Sequence, residues 1–474
     1  MRKLVIFVLI TALVAGAAFA EVDVSAWARA RGNALEGTSE QQVNSDGDWE
    51  GKPLGAGHNG GTFWDFRIVV SGENDDGTFG GLIRFRDVGA LQTGTATSAA
   101  GNAFGNSFGW VWWKPIDFVR FQIGQNAFGD FANWEIVRSG SFYGAGNDAG
   151  MGLAMLYSPF ANSLAGNAVT GNLEDAFSVF YAAGATLSLY PMEGLSLNIG
   201  IPYARTSQAR ADDVYNNILY QAQYKIPDIG RLTVGFQAIN AAERNGVIDR
   251  DVIYPLDLGG GDDPSDAFSE LDNHAFYLGF LLTAVENLQV NFGLRFMLPY
   301  TQEEKDVEYD GGSGTLDKIE LTRNYPVIIA LGAAFDMDAF NIKARCQLQV
   351  GGSAEIKFSE GSNTDKMEYV DATTFYVELL PSYDLGPCRI NLALGLNIAS
   401  FEKDKNPNYD KDLESWVAFG VNPYVSKTIG GGNFFAGFKL WTDGHTVAKK
   451  DTGWKVTDTK AINWSVPVGM VVSF

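Results

Sequence analysis

The stretch C-R-I-N-L-A-L-G-L-N-I, Cys388–Ile398, decides the fold class. Its even-numbered positions are all apolar, whereas its odd-numbered positions carry Arg389, Asn391 and Asn397 together with two small residues. Successive side chains of a β-strand point to opposite faces, so this stretch has one apolar side and one polar side. A helix would scatter the three polar residues around its axis. The stretch therefore predicts a strand that separates an apolar from a polar environment.

The same alternation recurs along most of the chain. Four further segments place apolar residues at every second position: Trp64–Val70, Val119–Ile123, Leu288–Phe296 and Ala344–Val350. We expect strands of about ten residues, the length that a tilted strand needs to cross a bilayer. Strands of a soluble β-sandwich also alternate, but they usually run to about five or six residues. The pattern favours an all-β membrane barrel over a sandwich.

The connections between strands fall into two length classes, as they do when a membrane separates two compartments. The short class has turn chemistry, because Pro fixes φ, Gly allows positive φ and Asp bonds its own backbone. It comprises residues 114–117, 191–194, 226–230, 285–287, 336–339, 384–387 and 430–432. The long class is polar and acidic and comprises residues 32–61, 241–272, 299–324, 351–370, 400–413 and 442–461. We predict a closed antiparallel transmembrane β-barrel of about 18 strands (16 to 20), with short periplasmic turns and long extracellular loops.

The amino terminus has the layout of a secretory signal peptide. Arg2 and Lys3 precede an apolar run over residues 4–16, and Ala18-Phe19-Ala20 supplies an A-x-A cleavage site. The apolar run is too short to span about 30 Å of hydrocarbon as a helix. We expect cleavage before Glu21, which leaves residues 21–474 as a single barrel domain.

Composition excludes several classes of protein. Without Arg2 and Lys3, 33 basic residues face 56 acidic residues, a net charge of −23, which repels nucleic acid. Two cysteines in the chain mean that disulfides do not supply its stability. After the signal peptide no stretch reaches 18 uninterrupted apolar residues, so membrane-spanning helices are not expected.

Closure of the sheet is required if the strands cross a membrane. Lipid offers no hydrogen bonds, so each bare N–H or C=O group on an open edge costs several kcal/mol. The last strand is therefore expected to pair with the first, Val22–Arg31. Its alternate apolar positions are Trp464, Val466, Val468, Met470, Val472 and Phe474. Pro467 in this strand and Pro423 in an earlier one cannot donate to the ladder, so a bulge or gap is expected at each.

This carboxy-terminal pattern, with its final phenylalanine, resembles the signature of bacterial outer-membrane β-barrel proteins, and we expect a porin-like member. The resemblance implies that the barrel-insertion machinery reads Trp464, Val466, Val468, Met470, Val472 and Phe474 as a signal. It also implies that the barrel lies in outer-membrane lipid. The segments V-W-W-K-P-I-D-F-V-R-F-Q-I-G (Val111–Gly124) and V-D-V-S-A-W-A-R-A-R (Val22–Arg31) look like those of spirochaete outer-membrane barrels.

Trp110, Trp112 and Trp113 immediately precede the turn at 114–117. Aromatic residues near strand ends commonly form a girdle at the membrane interface, where one end of the ring is apolar and the other is wet. We expect these tryptophans to belong to such a girdle. The alternative is ordinary packing within the strand.

Arginines on the polar face are the candidates for lining a pore. They are Arg29, Arg31, Arg67, Arg84, Arg86, Arg120, Arg295 and Arg345. A wall of this kind cannot be a dry core, because each buried charge needs a partner, and about 18 strands make a barrel too wide for side chains to fill. The arginines of the first, second, third and fifth strands either form a basic stripe facing the lumen or pair with Asp23, Asp65 and loop carboxylates.

Residues 126–175 form the longest irregular segment and follow the fifth strand. In general porins a loop after a similar early strand folds inward and narrows the pore opposite a basic wall. By that resemblance, residues 126–147 are expected to form a constriction, with Asp130 and Glu135 facing the arginines. Such a site would sort solutes by size and charge.

Other motifs give weaker signals. Asp46, Asp48 and Glu50, or Asp262, Asp263 and Asp266, could hold a divalent cation, but the first set lacks the glycine and glutamate placement of a calcium loop. The G-x-G-x-x-G match at 55–60 lacks a strand before it and a helix after it, and the G-x-S-x-G match at 105–109 lacks a strand–turn–helix elbow. The only histidines, His58, His274 and His445, lie in or beside predicted loops. We expect no cofactor, no metal and no enzyme activity.

These observations leave three functional hypotheses. The first is a passive outer-membrane porin for small hydrophilic solutes. The second is a substrate-specific channel of the same fold for sugars, anions or lipophiles, and the third is a surface adhesin or antigen with long binding loops. A homotrimer is expected only by resemblance to general porins.

Overall fold

The computed structural model describes residues 21–38, 42–43, 49–50, 63–90, 105–125, 183–202, 218–240, 272–309, 314–370, 373–400, 402, 415–442, 445–450, 453–458 and 462–473. The predicted signal peptide lies outside them. Within the described residues, no helix is long and apolar enough to cross a membrane.

The described segments form 27 strands. In chain order these are β1 (Glu21–Thr38), β2 (Gln42–Val43), β3 (Trp49–Glu50), β4 (Phe63–Glu73), β5 (Phe79–Ala90), β6 (Gly105–Ile116), β7 (Val119–Gln125), β8 (Ala183–Met192), β9 (Leu195–Pro202), β10 (Leu219–Ile226), β11 (Gly230–Asn240), β12 (Asp272–Val285), β13 (Leu288–Met297), β14 (Tyr300–Tyr309), β15 (Gly314–Asn324), β16 (Val327–Met337), β17 (Phe340–Val350), β18 (Ser353–Glu360), β19 (Asn363–Val370), β20 (Thr373–Asp384), β21 (Arg389–Ser400), β22 (Ser415–Ile429), β23 (Gly432–Gly437), β24 (Lys439–Thr442), β25 (His445–Lys450), β26 (Gly453–Asp458) and β27 (Ile462–Ser473).

One large sheet closes on itself to form an 18-stranded antiparallel barrel, counting β23 and β24 as one strand interrupted at Phe438. β27 pairs with β1 from Trp27↔Ser473 to Thr38↔Asn463, which confirms the predicted closure. β1 runs to Thr38 and not only to Arg31, so the sequence placed the start of the following loop too early.

Short turns join strand pairs at one end of the barrel. Asp228, Asn287 and Asp338 occupy positive φ there, as expected for residues whose side chains bond the local backbone. The turn predicted at 114–117 is shifted, since β6 continues to Ile116 and the turn falls at 117–118. A further turn at 74–78, which the sequence reading missed, is held by Asn74, whose Oδ1 accepts from the N–H groups of Thr78 and Phe79 at 2.9 and 2.8 Å.

Most polar side chains lie on one face of the sheet, and most large exposed apolar side chains lie on the other. On β7, Phe121 and Ile123 are 45% and 48% exposed, whereas Gln122 between them is 3% exposed. Large apolar side chains on the outward face are exposed on most barrel strands, and the opposite, inward face carries buried polar groups. This inversion of the usual globular pattern is what a sheet surrounded by lipid needs.

Trp112 and Trp113 lie on opposite faces. Trp113 is outward, 52% exposed, and stacks on Phe121 with ring centroids 6.0 Å apart. Trp112 lies on the inward face, with the guanidinium of Arg120 5.0 Å from its ring centroid. The expectation that all three tryptophans belong to one interfacial girdle is wrong for Trp112 and for Trp110, which shares its phase on β6, because adjacent strand residues cannot share a face.

Ladder irregularities coincide with the two prolines that the sequence singled out. The register of β1 against β27 shifts between Asn33 and Leu35, opposite Pro467. On the neighbouring strand the ladder breaks at Phe438, whose N–H donates to the carbonyl of Pro423 at 3.0 Å. Pro423 has no N–H to return that bond, so the carbonyl of Phe438 lacks its reciprocal ladder donor. The prediction of a defect at each proline is confirmed.

Two segments predicted as long loops are instead β-structure. Residues 299–324 contain β14 and β15, residues 351–370 contain β18 and β19, and these four strands form a separate antiparallel sheet. The two hairpins continue the β13–β16 and β17–β20 pairs of the barrel. β25 and β26 likewise form a hairpin inside the predicted loop 442–461. Their polar composition hid a period-two pattern, as in K-I-E-L-T-R at 318–323.

A zigzag of opposite charges crosses one face of this four-stranded sheet. Lys318 contacts Glu303 at 2.7 Å and Glu320 at 2.8 Å, and Lys357 contacts Glu320 at 3.2 Å and Glu355 at 2.7 Å. Hydrogen bonds from Lys318 lower the pKa of Glu303 and, with Lys357, that of Glu320. The hydrogen bond from Lys357 lowers the pKa of Glu355. The opposite face buries Ile319 and Leu321 completely.

We predict that replacing Pro423 with valine strengthens the barrel. Pro423→Val restores the missing donor to the carbonyl of Phe438, which contributes about 1 kcal/mol to the free energy of unfolding. The control is Pro227→Val in an exposed turn, which shares the added freedom of the unfolded chain but restores no ladder bond. Urea unfolding of the lipid-inserted protein measures the free energy of unfolding of both variants. Equal midpoints for the two variants would contradict this account of the break.

We also predict that acid loosens the four-stranded sheet before the barrel. Carboxylates with a lowered folded-state pKa add stability above their ordinary value near 4.5, and that contribution is lost as the pH falls through the lowered pKa. Hydrogen exchange, corrected for intrinsic rates, is expected to lose protection in β14, β15, β18 and β19 below about pH 4 while β13 stays protected. The response should weaken in Glu320→Gln. Loss of hydrogen-exchange protection at the same pH in β13 and in the four-stranded sheet would contradict the prediction.

Candidate functional site: the inward wall of the barrel

Polar side chains line the inward face of the barrel, whereas the outward face is apolar. Six representative buried members are Gln122, Asn198, Gln221, Arg345, Glu378 and Asn422. Neighbours two residues apart on one strand bond each other, as in Arg120 Nη2 to Gln122 Oε1 at 3.0 Å. The amide of Gln223 donates to Gln221 in the same way. The wall is therefore built from ladders of polar groups that run along the strands.

Five of the predicted pore-lining arginines lie on this face with described side chains. They are Arg67 on β4, Arg84 on β5, Arg120 on β7, Arg295 on β13 and Arg345 on β17. Arg29 and Arg31 on β1 and Arg86 on β5 occupy inward register positions, but their side chains are outside the description. Asp130 and Glu135 lie outside the described residues, so the constriction over 126–147 stays a prediction.

Strand register gathers the basic stripe into one patch. β1, β4 and β5 are adjacent, with Arg29 opposite Asp65 and Arg67 opposite Arg86. The arginines of the first three barrel strands thus share one region of the wall, and a carboxylate-bearing residue lies among them. The register alone does not separate the two interpretations left open by the sequence, a basic stripe that faces the lumen and arginines that pair with Asp23, Asp65 and loop carboxylates.

Several of the described inward cations lie over inward aromatic rings. Arg67 lies over Trp27 at 4.4 Å from the ring centroid, Arg345 over Tyr376 at 5.3 Å, and Lys439 over Trp441 at 4.9 Å. Contacts of this kind contribute about 0.5–2 kcal/mol and hold the cation flat against its support. These aromatic partners were not predicted, because aromatic residues were expected on the lipid-facing side of the strands. Their phase relative to neighbouring arginines was the available signal.

A buried acidic residue on β20 was also missed. Glu378 is fully buried, is the cross-strand partner of Arg345, and accepts a hydrogen bond from the hydroxyl of Tyr376 at 2.7 Å. Its carboxylate offsets the charge of Arg345 in a wall that is otherwise rich in bases. A lone Glu at an inward position between Val377 and Leu379 was the signal in the sequence.

β27 places the predicted insertion signal on the outward face. Val468 and Met470 are exposed, Trp464, Val466 and Val472 share their phase, and Ser465 and Val471 point the other way and are buried. Phe474 lies outside the described residues. Recognition by an insertion machinery stays a prediction.

The weaker motifs gain no support from the geometry. The G-x-S-x-G match at 105–109 lies inside strand β6, and the G-x-G-x-x-G match at 55–60 lies outside the described residues, as do His58 and Asp262, Asp263 and Asp266. Asp46 and Asp48 are likewise outside, and the side chain of Glu50 is not described. In the described part of the chain, no group of three His, Cys, Asp or Glu side chains is placed to hold a metal ion.

Solved outer-membrane proteins are similar to this chain over nearly its whole length. OmpT, an outer membrane protein of Vibrio cholerae, is 11% identical, with 96% of this chain and 99% of that chain covered and a TM-score of 0.38. Pseudomonas aeruginosa OpdK with vanillate is 10% identical over 96% and 99%, with a TM-score of 0.43. An anion-selective porin from Comamonas acidovorans is 11% identical over 96% and 100%, with a TM-score of 0.38.

No family model matches the chain, and no curated protein matches it in sequence. TM-scores below 0.5 at these identities carry no argument about activity.

Proposed function

We propose that this protein is an outer-membrane channel through which small hydrophilic solutes diffuse passively. One observation carries the proposal: a closed ring of 18 strands exposes apolar side chains outside and collects polar and charged side chains inside. A solvated lumen accounts for the inner wall, because charged groups placed in a dry interior need either a partner or water. An 18-stranded ring is also wide enough to enclose more than side chains.

The same distribution of apolar and polar side chains supports a location in a membrane. The exposed outward side chains, such as Phe121, Phe419 and Met470, need an apolar solvent. The predicted cleavable leader, a β27 strand with alternating apolar residues and net negative charge support export to an outer membrane over an intracellular role. Similarity to spirochaete barrels and assembly as a homotrimer belong to this proposal as expectations.

Liposome swelling tests the proposed function. Vesicles containing the folded protein should swell in isosmotic sugars at rates that fall with solute size, with a sharp cutoff, because diffusion through an unselective pore is limited by its width. Vesicles containing heat-unfolded protein are the control. Saturable swelling with a single solute would favour the substrate-specific alternative. Absence of swelling with every sugar would contradict the channel.

We further predict that the basic patch sets ion preference. Arg67→Ala combined with Arg84→Ala removes two inward positive charges, so the reversal potential of a planar bilayer under a salt gradient should shift toward cations. Lys305→Ala combined with Lys366→Ala removes two charges from the exposed outer sheet and is the matched control. Unchanged selectivity in the arginine double variant would show that the patch is not the filter.

A further inference from the structure

Two inward cations meet at a β-bulge close to the turn that joins β6 and β7. The register of the two strands shifts between Trp113 and Ile116, so Lys114 and Pro115 together oppose a single residue of β7, Arg120. A bulge places two residues opposite one and changes the direction of a side chain. Here it brings Lys114 and Arg120 together on the inward face of the wall. Like charges that face each other across a ladder are normally destabilising.

A single indole holds both cations. The ring centroid of Trp112 lies 5.1 Å from Nζ of Lys114 and 5.0 Å from Cζ of Arg120. These two distances limit the separation of the cationic groups to at most about 10 Å. The indole itself rests on the backbone of Gly80, because a Cβ atom there would lie 2.5 Å from Cζ2 of Trp112. The bulge and the ring thus fix two positive charges at one place on the inner wall.

The cations are accessible to a solute. The side chains of Trp112, Lys114 and Arg120 are half-buried and not sealed into the wall. Nη2 of Arg120 donates to Oε1 of Gln122 at 3.0 Å, which orients the guanidinium. Within the described ranges, the ammonium of Lys114 contacts the indole and forms no ion pair, so its three N–H groups can bind a ligand.

Two carboxylates lie near the pair without neutralising it. Glu73 is the cross-strand partner of Gly80, and Asp117 lies in the turn after β6. Both side chains are exposed, and neither forms an ion pair with another described residue. A mobile anion from the lumen can therefore relieve the repulsion between Lys114 and Arg120.

The chemistry of the pair favours a phosphoryl group over a carboxylate. A guanidinium binds a carboxylate through two parallel hydrogen bonds, which engage both carboxylate oxygens. A phosphoryl group has three acceptor oxygens and nearly two negative charges, so it can bond Arg120 and still offer an oxygen to Lys114. Lysine binds phosphate as a point charge, which needs no fixed angle.

We propose that Lys114, Arg120 and Trp112 form a phosphate site on the inner wall, for inorganic phosphate or for the phosphoryl group of a small ester. The site rests on the proposed function, because it serves solutes that pass along an open lumen. It would make the channel favour phosphate-bearing solutes over carboxylates and over neutral solutes of the same size.

Phosphorus-31 NMR tests the site on the folded full-length barrel in octyl glucoside, a detergent without phosphate. Binding should broaden the line of inorganic phosphate at about pH 8, above the second pKa of phosphoryl groups. Acetate should displace phosphate only at about tenfold higher concentration, the effect of one charge-assisted hydrogen bond. Competition by glycerol 3-phosphate at equal concentration would identify esters as ligands, and its failure to compete would identify the free ion.

Three variants locate the binding. Lys114→Gln should weaken phosphate binding about tenfold and abolish the advantage of phosphate over acetate. Trp112→Leu keeps both charges and should weaken phosphate binding about threefold, because the ring no longer holds them together. Lys343→Gln removes an inward positive charge near the same end of the barrel, on β17, and is the matched control. It should bind phosphate as the parent protein does.

Equal competition by acetate and by unlabelled phosphate in the parent protein would overturn the site. Equal losses in Lys114→Gln and Lys343→Gln would also overturn it, because they indicate a general attraction of anions to a positive wall. If Trp112→Leu fails to fold, judged by its heat-dependent gel mobility, the comparison of the two lysine variants remains decisive. Swelling assays separate the two proposals: phosphate binding without permeation contradicts the channel, and permeation without phosphate binding contradicts the site.

Discussion

Closure of the backbone hydrogen-bond ladder is the constraint on which the rest of this structure depends. A sheet in lipid has no water to form hydrogen bonds with its edge, so the first and last strands must pair with each other across the membrane. The β1–β27 pairing meets this demand over eleven residue pairs, with one irregularity beside Pro467. The closed ring has 18 strands, and a ring of that size has an interior too wide to be filled by wall side chains alone.

Once the ring is closed, strand geometry assigns every side chain to lipid or to the interior. Alternation on β7 puts Phe121 outside and Arg120 and Gln122 inside, and cross-strand register then gathers inward residues from distant parts of the chain. Arg345 meets Glu378 and Arg295 meets Tyr277 in this way. The chemistry of the wall is therefore a product of register, which single-strand periodicity does not contain.

This distinction explains what the sequence predicted and what it missed. The alternation over residues 388–398 predicted a strand, because it depends only on residues close together in the sequence. The prolines at 423 and 467 predicted ladder defects, because a missing N–H is a property of one residue. The outer four-stranded sheet was missed because acidic polarity outweighed the alternation at 318–323. The pairing of Glu378 with Arg345 depends on cross-strand register, which the periodicity of one strand does not contain. Trp112 was assigned to the girdle although the alternation of a strand already places it and Trp113 on opposite faces.

Site-directed spin labelling of β7 tests the central claim most directly. In a background with Cys346→Ser and Cys388→Ser, single cysteines at positions 119–123 would carry nitroxides in protein inserted in lipid vesicles. Labels at 119, 121 and 123 should be relaxed mainly by oxygen, which concentrates in lipid, and labels at 120 and 122 mainly by a water-soluble nickel chelate. Accessibility without a period of two, or exclusion of nickel from positions 120 and 122, would contradict a lipid-embedded barrel with a wet interior.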